Sequence, residues 1–257
     1  MMDEAMTKQK DTGQREADAG GRSPSEKSPS RQESESAGLL HPQVKICGLT
    51  REEEAVACAR AGASAVGCVF YPPSPRYVSE DLARSISRAL PPEVPVVGVF
   101  VNEGSSTILR KVERCGLKAV QLHGKEPPSL VKELRESGIF VIKVLFDGGE
   151  PSLASADGYS TAAFLVECAG GPLPGGNSLA WNWSIARDLA SRHPLILAGG
   201  LNAENVGRAI SAALPDAVDV SSGVESEPGL KDMDKVKRFL DAVRSGGCTG
   251  GFRRIFK

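Results

Sequence analysis

The chain is poor in histidine, paired cysteines, aromatic residues and long apolar runs, and each scarcity closes off a class of function. Three histidines, His41, His123 and His193, are spread over 257 residues, which sets a His-rich metal centre aside. The six cysteines, Cys47, Cys58, Cys68, Cys115, Cys168 and Cys248, are scattered with no C-x-x-C pair. A zinc site is therefore unsupported, and with no export signal disulfides are not expected. Aromatic residues make up 5% of a chain that is 40% hydrophobic, which suits an aliphatic α/β core better than an all-β sandwich. No uninterrupted apolar run approaches the roughly 18 residues of a membrane-spanning helix. The opening segment lacks the apolar centre of a secretory signal and is too acidic for a transit peptide, so the expected location is cytoplasmic. A net charge of −1 gives no pull toward nucleic acid or an anionic membrane, and neither is expected as a partner. Neither G-x-G-x-x-G nor G-x-x-x-x-G-K-[ST] occurs, so a nucleotide is not the obvious ligand.

What is present begins late. No Val, Ile, Leu or aromatic residue precedes Leu39. Residues 1–40 cannot bury enough apolar surface to offset their ordering entropy and are read as a disordered leader. From Val44 the chain alternates between short aliphatic runs and stretches of helical period. Strands are expected over 44–47, 65–70, 96–101, 119–122, 141–146, 162–167, 195–198 and 217–221. Helices are expected over 51–61, 80–90, 106–115, 129–137, 184–192, 203–213 and 233–243, with a weak one near 152–157. Continuous apolar strands covered by helices are parallel strands. Eight such units in residues 41–244 point to a single (βα)8 TIM barrel of the α/β class, with an open doubly wound sheet as the second choice. Residues 245–257, glycine-rich and then basic, read as a flexible, solvated C-terminal tail.

In a barrel of this kind, active sites form at the C-terminal strand ends. The least core-like residues collect there: Cys47 on strand 1, Arg76 in the proline-rich loop after strand 2, His123 on strand 4, Glu167 on strand 6 and Asp219 on strand 8. Thr50 followed by Glu53 has the form of a capping box, so Cys47 would face a helix N-terminus that favours a thiolate. Taken alone, that motif leaves Cys47 more a packing residue than a nucleophile or base. Lys45 lies two residues before it on the same strand face and either supplies a positive field or serves as a structural or gating charge. His123 reads equally as a substrate contact or a satisfied core group. Gly199-Gly200 and Ser221-Ser222-Gly223 end strands 7 and 8, the usual phosphate site of this fold. One such loop could simply terminate a strand; the pair together favours phosphate binding.

Seven motifs in order then resemble the phosphoribosylanthranilate isomerase family of tryptophan biosynthesis. They are Lys45-Ile46-Cys47-Gly48-Leu49-Thr50, Ser74-Pro75-Arg76-Tyr77-Val78, Gly98-Val99-Phe100-Val101, Gln121-Leu122-His123-Gly124, Leu197-Ala198-Gly199-Gly200-Leu201, the run from Val218 to Glu225, and Pro228-Gly229-Leu230-Lys231-Asp232. The resemblance covers roughly residues 44–243. It implies a (βα)8 barrel without cofactor or metal. It also implies an Amadori rearrangement of N-(5-phosphoribosyl)anthranilate, a small phosphorylated substrate, to an open-chain 1-deoxyribulose phosphate. On this resemblance Cys47 is the general base, Arg76 holds the anthranilate carboxylate, and the strand 6 carboxylic acid opens the furanose. Gly199, Gly200, Ser221, Ser222 and Gly223 hold the phosphate, and Asp219 contacts substrate hydroxyls. Monomer and homodimer both stay open.

The sixth unit departs from the family. Glu167 stands where the family has Asp, a side chain longer by about 1.5 Å, and Asn177-Ser178 alter the loop that follows. A misplacement of about 1 Å can cost on the order of 10²-fold in rate. The alternative function is therefore a weakly active or non-catalytic sugar-phosphate-binding barrel. An epimerase using paired aspartates or a metal is a further option, and it would leave Cys47 idle.

Overall fold

The computed structural model of the protein describes residues 41–170, 180–246 and 251–257. The leader expected over residues 1–40 and the loop residues Asn177 and Ser178 lie outside these. Eight parallel strands close a barrel in sequence order: β1 (Gln43–Cys47), β2 (Ala65–Val69), β3 (Val96–Phe100), β4 (Ala119–Leu122), β5 (Phe140–Asp147), β6 (Ala163–Cys168), β7 (Leu195–Leu197) and β8 (Ala217–Val220). β1 pairs with both β2 and β8, so no edge remains. The strands are mostly aliphatic because both of their faces are covered. Val44, Ile46, Val66 and Val120 face outward into the helical layer, while Ala65, Val97, Ala119, Ile142 and Ala217 fill the barrel interior.

The outer layer holds α1 (Glu52–Ala61), α2 (Glu80–Ala89), α3 (Ser105–Cys115), α4 (Pro128–Glu136), α5 (Arg187–Arg192), α6 (Val206–Ala213) and α7 (Met233–Ser245). The weak fifth helix is a 3-10 turn over Leu153–Gly158. A second 3-10 turn, Trp183–Ala186, leads into α5. One element was not anticipated. A small antiparallel hairpin of β9 (Glu225–Glu227) and β10 (Leu230–Lys231) follows β8 and turns at Pro228-Gly229. Gly229 takes φ +87°, which a glycine there adopts without strain.

Two expectations need correction. Thr50 does not cap α1. The helix starts at Glu52 with no side-chain cap, and the Thr50 hydroxyl donates instead to the Gly229 carbonyl at 2.5 Å. Three glutamates in the first turn, Glu52, Glu53 and Glu54, complement the helix dipole in its place.

The second correction concerns the tail. Residues 251–257 are not a free tail: Phe252, Ile255 and Phe256 are buried between exposed Arg253, Arg254 and Lys257, and Ile255 and Phe256 join the barrel-interior cluster. The inward alanines Ala65, Ala119, Ala163 and Ala217 leave volume in that interior which these side chains fill. The Gln43 amide donates to the Phe256 carbonyl at 2.8 Å, and its oxygen accepts from the N–H of Ile255 (2.7 Å) and of Phe256 (2.9 Å). The Asp216 carboxylate accepts from the Arg253 backbone N–H at 2.8 Å and from its guanidinium.

Candidate active site

Cys47 ends β1 and points into the barrel mouth, buried. Two features of the local sequence make room for it. Gly48 at φ +78° lets the chain turn out of the strand. Gly67, opposite on β2, has no side chain; a Cβ there would lie 2.5 Å from the Cys47 sulfur. One layer deeper, Lys45 is fully buried and donates to Asp219 at 2.7 Å, its register partner on β8. Burial would strip the proton from Lys45, but the charges of Asp219 and Cys47 outweigh it and raise its pKa. Burial also dominates at Cys47, raising its thiol pKa against the opposing pull of Lys45. Lys45 is the cation beside the sulfur that opposes this shift and favours the thiolate.

Across the mouth, Glu167 on β6 is buried and accepts at 2.8 Å from His123 Nε2. The Gln121 side-chain N–H donates to His123 Nδ1 at 2.8 Å, so Nδ1 is the acceptor nitrogen and Nε2 carries the proton offered to Glu167. The Glu167 side chain thus reaches past β5 to His123. The loop that carries His123 is pinned by Glu126, which accepts from the N–H of Asn102 (2.8 Å) and Gly124 (3.0 Å) and pairs with buried Lys143 at 2.8 Å. Asp147, the other carboxylate near this side, follows inward-facing Phe146 and so points away from the mouth.

Arg76 sits on the rim, buried, with Nε and Nη2 donating to the two oxygens of Glu225 at 2.9 and 2.7 Å. Lys231 donates to the same carboxylate at 2.7 Å. Burial works against the charge on all three. At Glu225 its two cationic partners prevail and hold the carboxyl below its usual range. At Arg76 the hydrogen bond and charge of Glu225 prevail and raise the pKa. At Lys231 burial prevails and lowers the pKa, with Glu225 the main opposing influence. Glu225 and Lys231 had no role assigned from the sequence, although both lie in recognisable motifs; a charged pair flanking a Pro-Gly turn beside strand 8 was the available signal.

The two glycine-serine loops meet after β7 and β8, with Ser221 beside the Lys231 ammonium. Gly199 and Gly200 both take positive φ, and Ser222–Val224 form a 3-10 turn. Gly223 packs so closely on the first loop that a Cβ would lie 1.9 Å from the Leu201 carbonyl oxygen. The Trp181 indole N–H donates to the Ala198 carbonyl at 2.9 Å, clasping the end of β7. Lys45, Cys47, Arg76, His123, Glu167, Asp219 and both glycine-serine loops therefore share one end of the barrel.

Residues 44–242 match the family model for N-(5'phosphoribosyl)anthranilate (PRA) isomerase. The N-(5'-phosphoribosyl)anthranilate isomerase of Desulfatibacillum aliphaticivorans is 52% identical over 217 residues, covering 84% of this chain and all of the relative. A solved phosphoribosyl anthranilate isomerase in complex with reduced 1-(o-carboxyphenylamino)-1-deoxyribulose 5-phosphate is 43% identical, with a TM-score of 0.71 over 79% of this chain and 98% of that one. A structure of monomers made from the dimeric enzyme of Thermotoga maritima is 42% identical, with a TM-score of 0.71 and the same coverage. With the family model spanning the barrel and a relative this similar matched along its whole length, the chain belongs to the N-(5'-phosphoribosyl)anthranilate isomerase family.

Proposed function

We propose that the chain converts N-(5'-phosphoribosyl)anthranilate to 1-(2-carboxyphenylamino)-1-deoxyribulose 5-phosphate in tryptophan biosynthesis, by acid–base catalysis across the barrel mouth. The reading rests on two buried, inward side chains on opposite sides of that mouth: Cys47 on β1 and Glu167 on β6. Glu167 gives a proton to the furanose ring oxygen as the C1–O bond breaks, and the anilino nitrogen lone pair forms the C1=N bond. Cys47 takes the proton from C2, and the electron pair left behind forms the C1=C2 bond of an enolamine while the iminium nitrogen is neutralised. Tautomerisation to the C2 ketone completes the reaction. C1 is reduced as C2 is oxidised, so the sequence balances without an external oxidant.

The rest of the site supports these two groups. With its Nε2–H on Glu167 Oε1, His123 orients the carboxyl and leaves the other oxygen to carry the acid proton. Lys45, held by Asp219, stabilises the thiolate form of Cys47 that takes the C2 proton. Asp219 also lies near enough to the mouth to meet the sugar hydroxyls. Arg76 takes the anthranilate carboxylate. Gly199, Gly200, Ser221, Ser222 and Gly223 take the phosphate. A cytoplasmic location fits the reduced thiols of Cys47, Cys58, Cys68 and Cys115 and the absence, among the described residues, of any helix long and apolar enough to cross a membrane. A monomer or homodimer is the expected assembly.

The test is loss of phosphoribosylanthranilate fluorescence with the purified protein, alongside rescue of an auxotroph lacking this step. Turnover and rescue are expected. Undetectable turnover would sink the proposal and leave a sugar-phosphate-binding barrel.

A further inference from the structure

Arg76 is already committed along one edge. Its Nε and Nη2 face the two oxygens of Glu225 at 2.9 and 2.7 Å, a side-on bidentate pair. Its end-on edge, Nη1 with the second proton of Nη2, has no protein hydrogen-bond partner among the described residues. A guanidinium so held presents one planar fork of fixed orientation, the shape that fits a carboxylate.

The charge balance matters as much as the shape. Arg76 and Glu225 alone would cancel, and a neutral buried pair draws an anion weakly. Lys231 changes the sum. Its side chain is fully buried, and Nζ meets Glu225 Oε1 at 2.7 Å, the Ser221 carbonyl at 3.3 Å and the Ser221 hydroxyl at 3.5 Å. Three acceptors match the three protons of an ammonium. Two cations on one carboxylate give the cluster a net charge of +1 beside the open fork. The hairpin that carries both residues is fixed from outside: the Lys231 backbone N–H donates to Glu54, and the Gly229 carbonyl accepts from Thr50.

We propose that Glu225 and Lys231 are specificity-determining positioning residues: Glu225 aims the Arg76 fork and Lys231 keeps the buried Arg76–Glu225–Lys231 cluster net positive, so that the enzyme selects a substrate whose aromatic amine bears a carboxylate. The inference deepens the reading of Arg76 as the carboxylate site and rests on it.

Two substrates separate the effects: the glycosylamine of ribose 5-phosphate with anthranilate, and that with aniline, which lacks the carboxylate. Lys231→Gln removes the charge and keeps hydrogen-bonding capacity. It is expected to raise KM for the anthranilate compound about tenfold, the effect of about 1.4 kcal/mol, with kcat little changed. The aniline compound should be turned over as by wild type, and Lys231→Arg should restore selectivity. Lys231→Met, which keeps an apolar stem in the same space, gives the same reading should the Gln variant fail to fold. Equal losses on both substrates, or unchanged selectivity, would overturn the inference. Arg76→Met distinguishes the two levels. If it lowers both substrates equally, the carboxylate reading of Arg76 itself fails; if it abolishes selectivity while Lys231→Gln does not, only the role of Lys231 falls.

Discussion

The two mouths of the barrel are made by the same eight strands and use polar residues in opposite ways. At the base, the inward polar side chain of Gln43 gives all three of its hydrogen bonds to the backbone of Ile255 and Phe256. Asp216 is likewise saturated, accepting from Arg253 and from the Leu195 N–H. At the top, polar groups are buried just as deeply but, among the described residues, only part of each is bound: one oxygen of Glu167 and one edge of Arg76, beside a Cys47 thiol whose pKa burial raises. A buried polar group left without a partner costs about 1–3 kcal/mol. The base removes that cost permanently within the chain. The top leaves groups partly unsatisfied where a substrate can complete them. One end should govern stability and the other turnover.

That division can be broken from either side. The largest effect is expected from Cys47→Ser, which should lower kcat by about 10³-fold, within the range of general base catalysis, with Tm little changed. A large drop in Tm would make Cys47 a packing residue. Phe256→Ala should do the reverse, costing about 3–4 kcal/mol of stability, as large-to-small core changes do, with kcat and KM as in wild type. Chemical denaturation and steady-state kinetics on one preparation check both, and loss of kcat in Phe256→Ala at a temperature where it stays folded would merge the two ends. Gln43→Ala leaves three backbone groups of the tail unpaired and should cost about 2 kcal/mol by the same denaturation measurement.

The smallest effect belongs to neither mouth. Cys58 lies in the layer between α1 and the barrel, and burial pushes its thiol from 9.0 up to about 11. Its folded pKa exceeds its unfolded one, so the contribution is fully present below about pH 9 and is lost as pH rises toward 11. At about pH 10 it amounts to about 1.4 kcal/mol, one pH unit of linkage. Denaturation at about pH 8 and pH 10 should show that decline in wild type and a smaller one in Cys58→Ala.

The barrel was legible because its strands are apolar-rich runs between helical stretches, several of them continuous, a local signal that needs no knowledge of partners. The ends of those strands marked the candidate site residues for the same reason: Cys47, His123, Glu167 and Asp219 interrupt apolar runs at a fixed place. What stayed hidden depends on distant contacts. Arg76 meets Glu225 across 149 residues, and Gln43 meets the tail across more than 200. A basic segment after a glycine-rich stretch reads as solvated until the alanine-lined base that receives Phe256 is known. At Cys47, similarly, the sequence displays the helix that follows it but not the burial that raises its pKa. Residue type did single out Glu167 as the candidate acid, while its geometry, anchored through His123 to Gln121, is a product of the closed barrel.

The account turns on Glu167, since a longer carboxylate must do the work of the family's shorter one. The most direct measurement is kcat for Glu167→Gln beside Glu167→Asp and wild type, with phosphoribosylanthranilate as substrate. Glu167→Gln should lose about 10²-fold or more in kcat with KM little changed, the loss of a general acid. Glu167→Asp should retain most activity. Full turnover by Glu167→Gln would contradict the account and remove Glu167 as the acid.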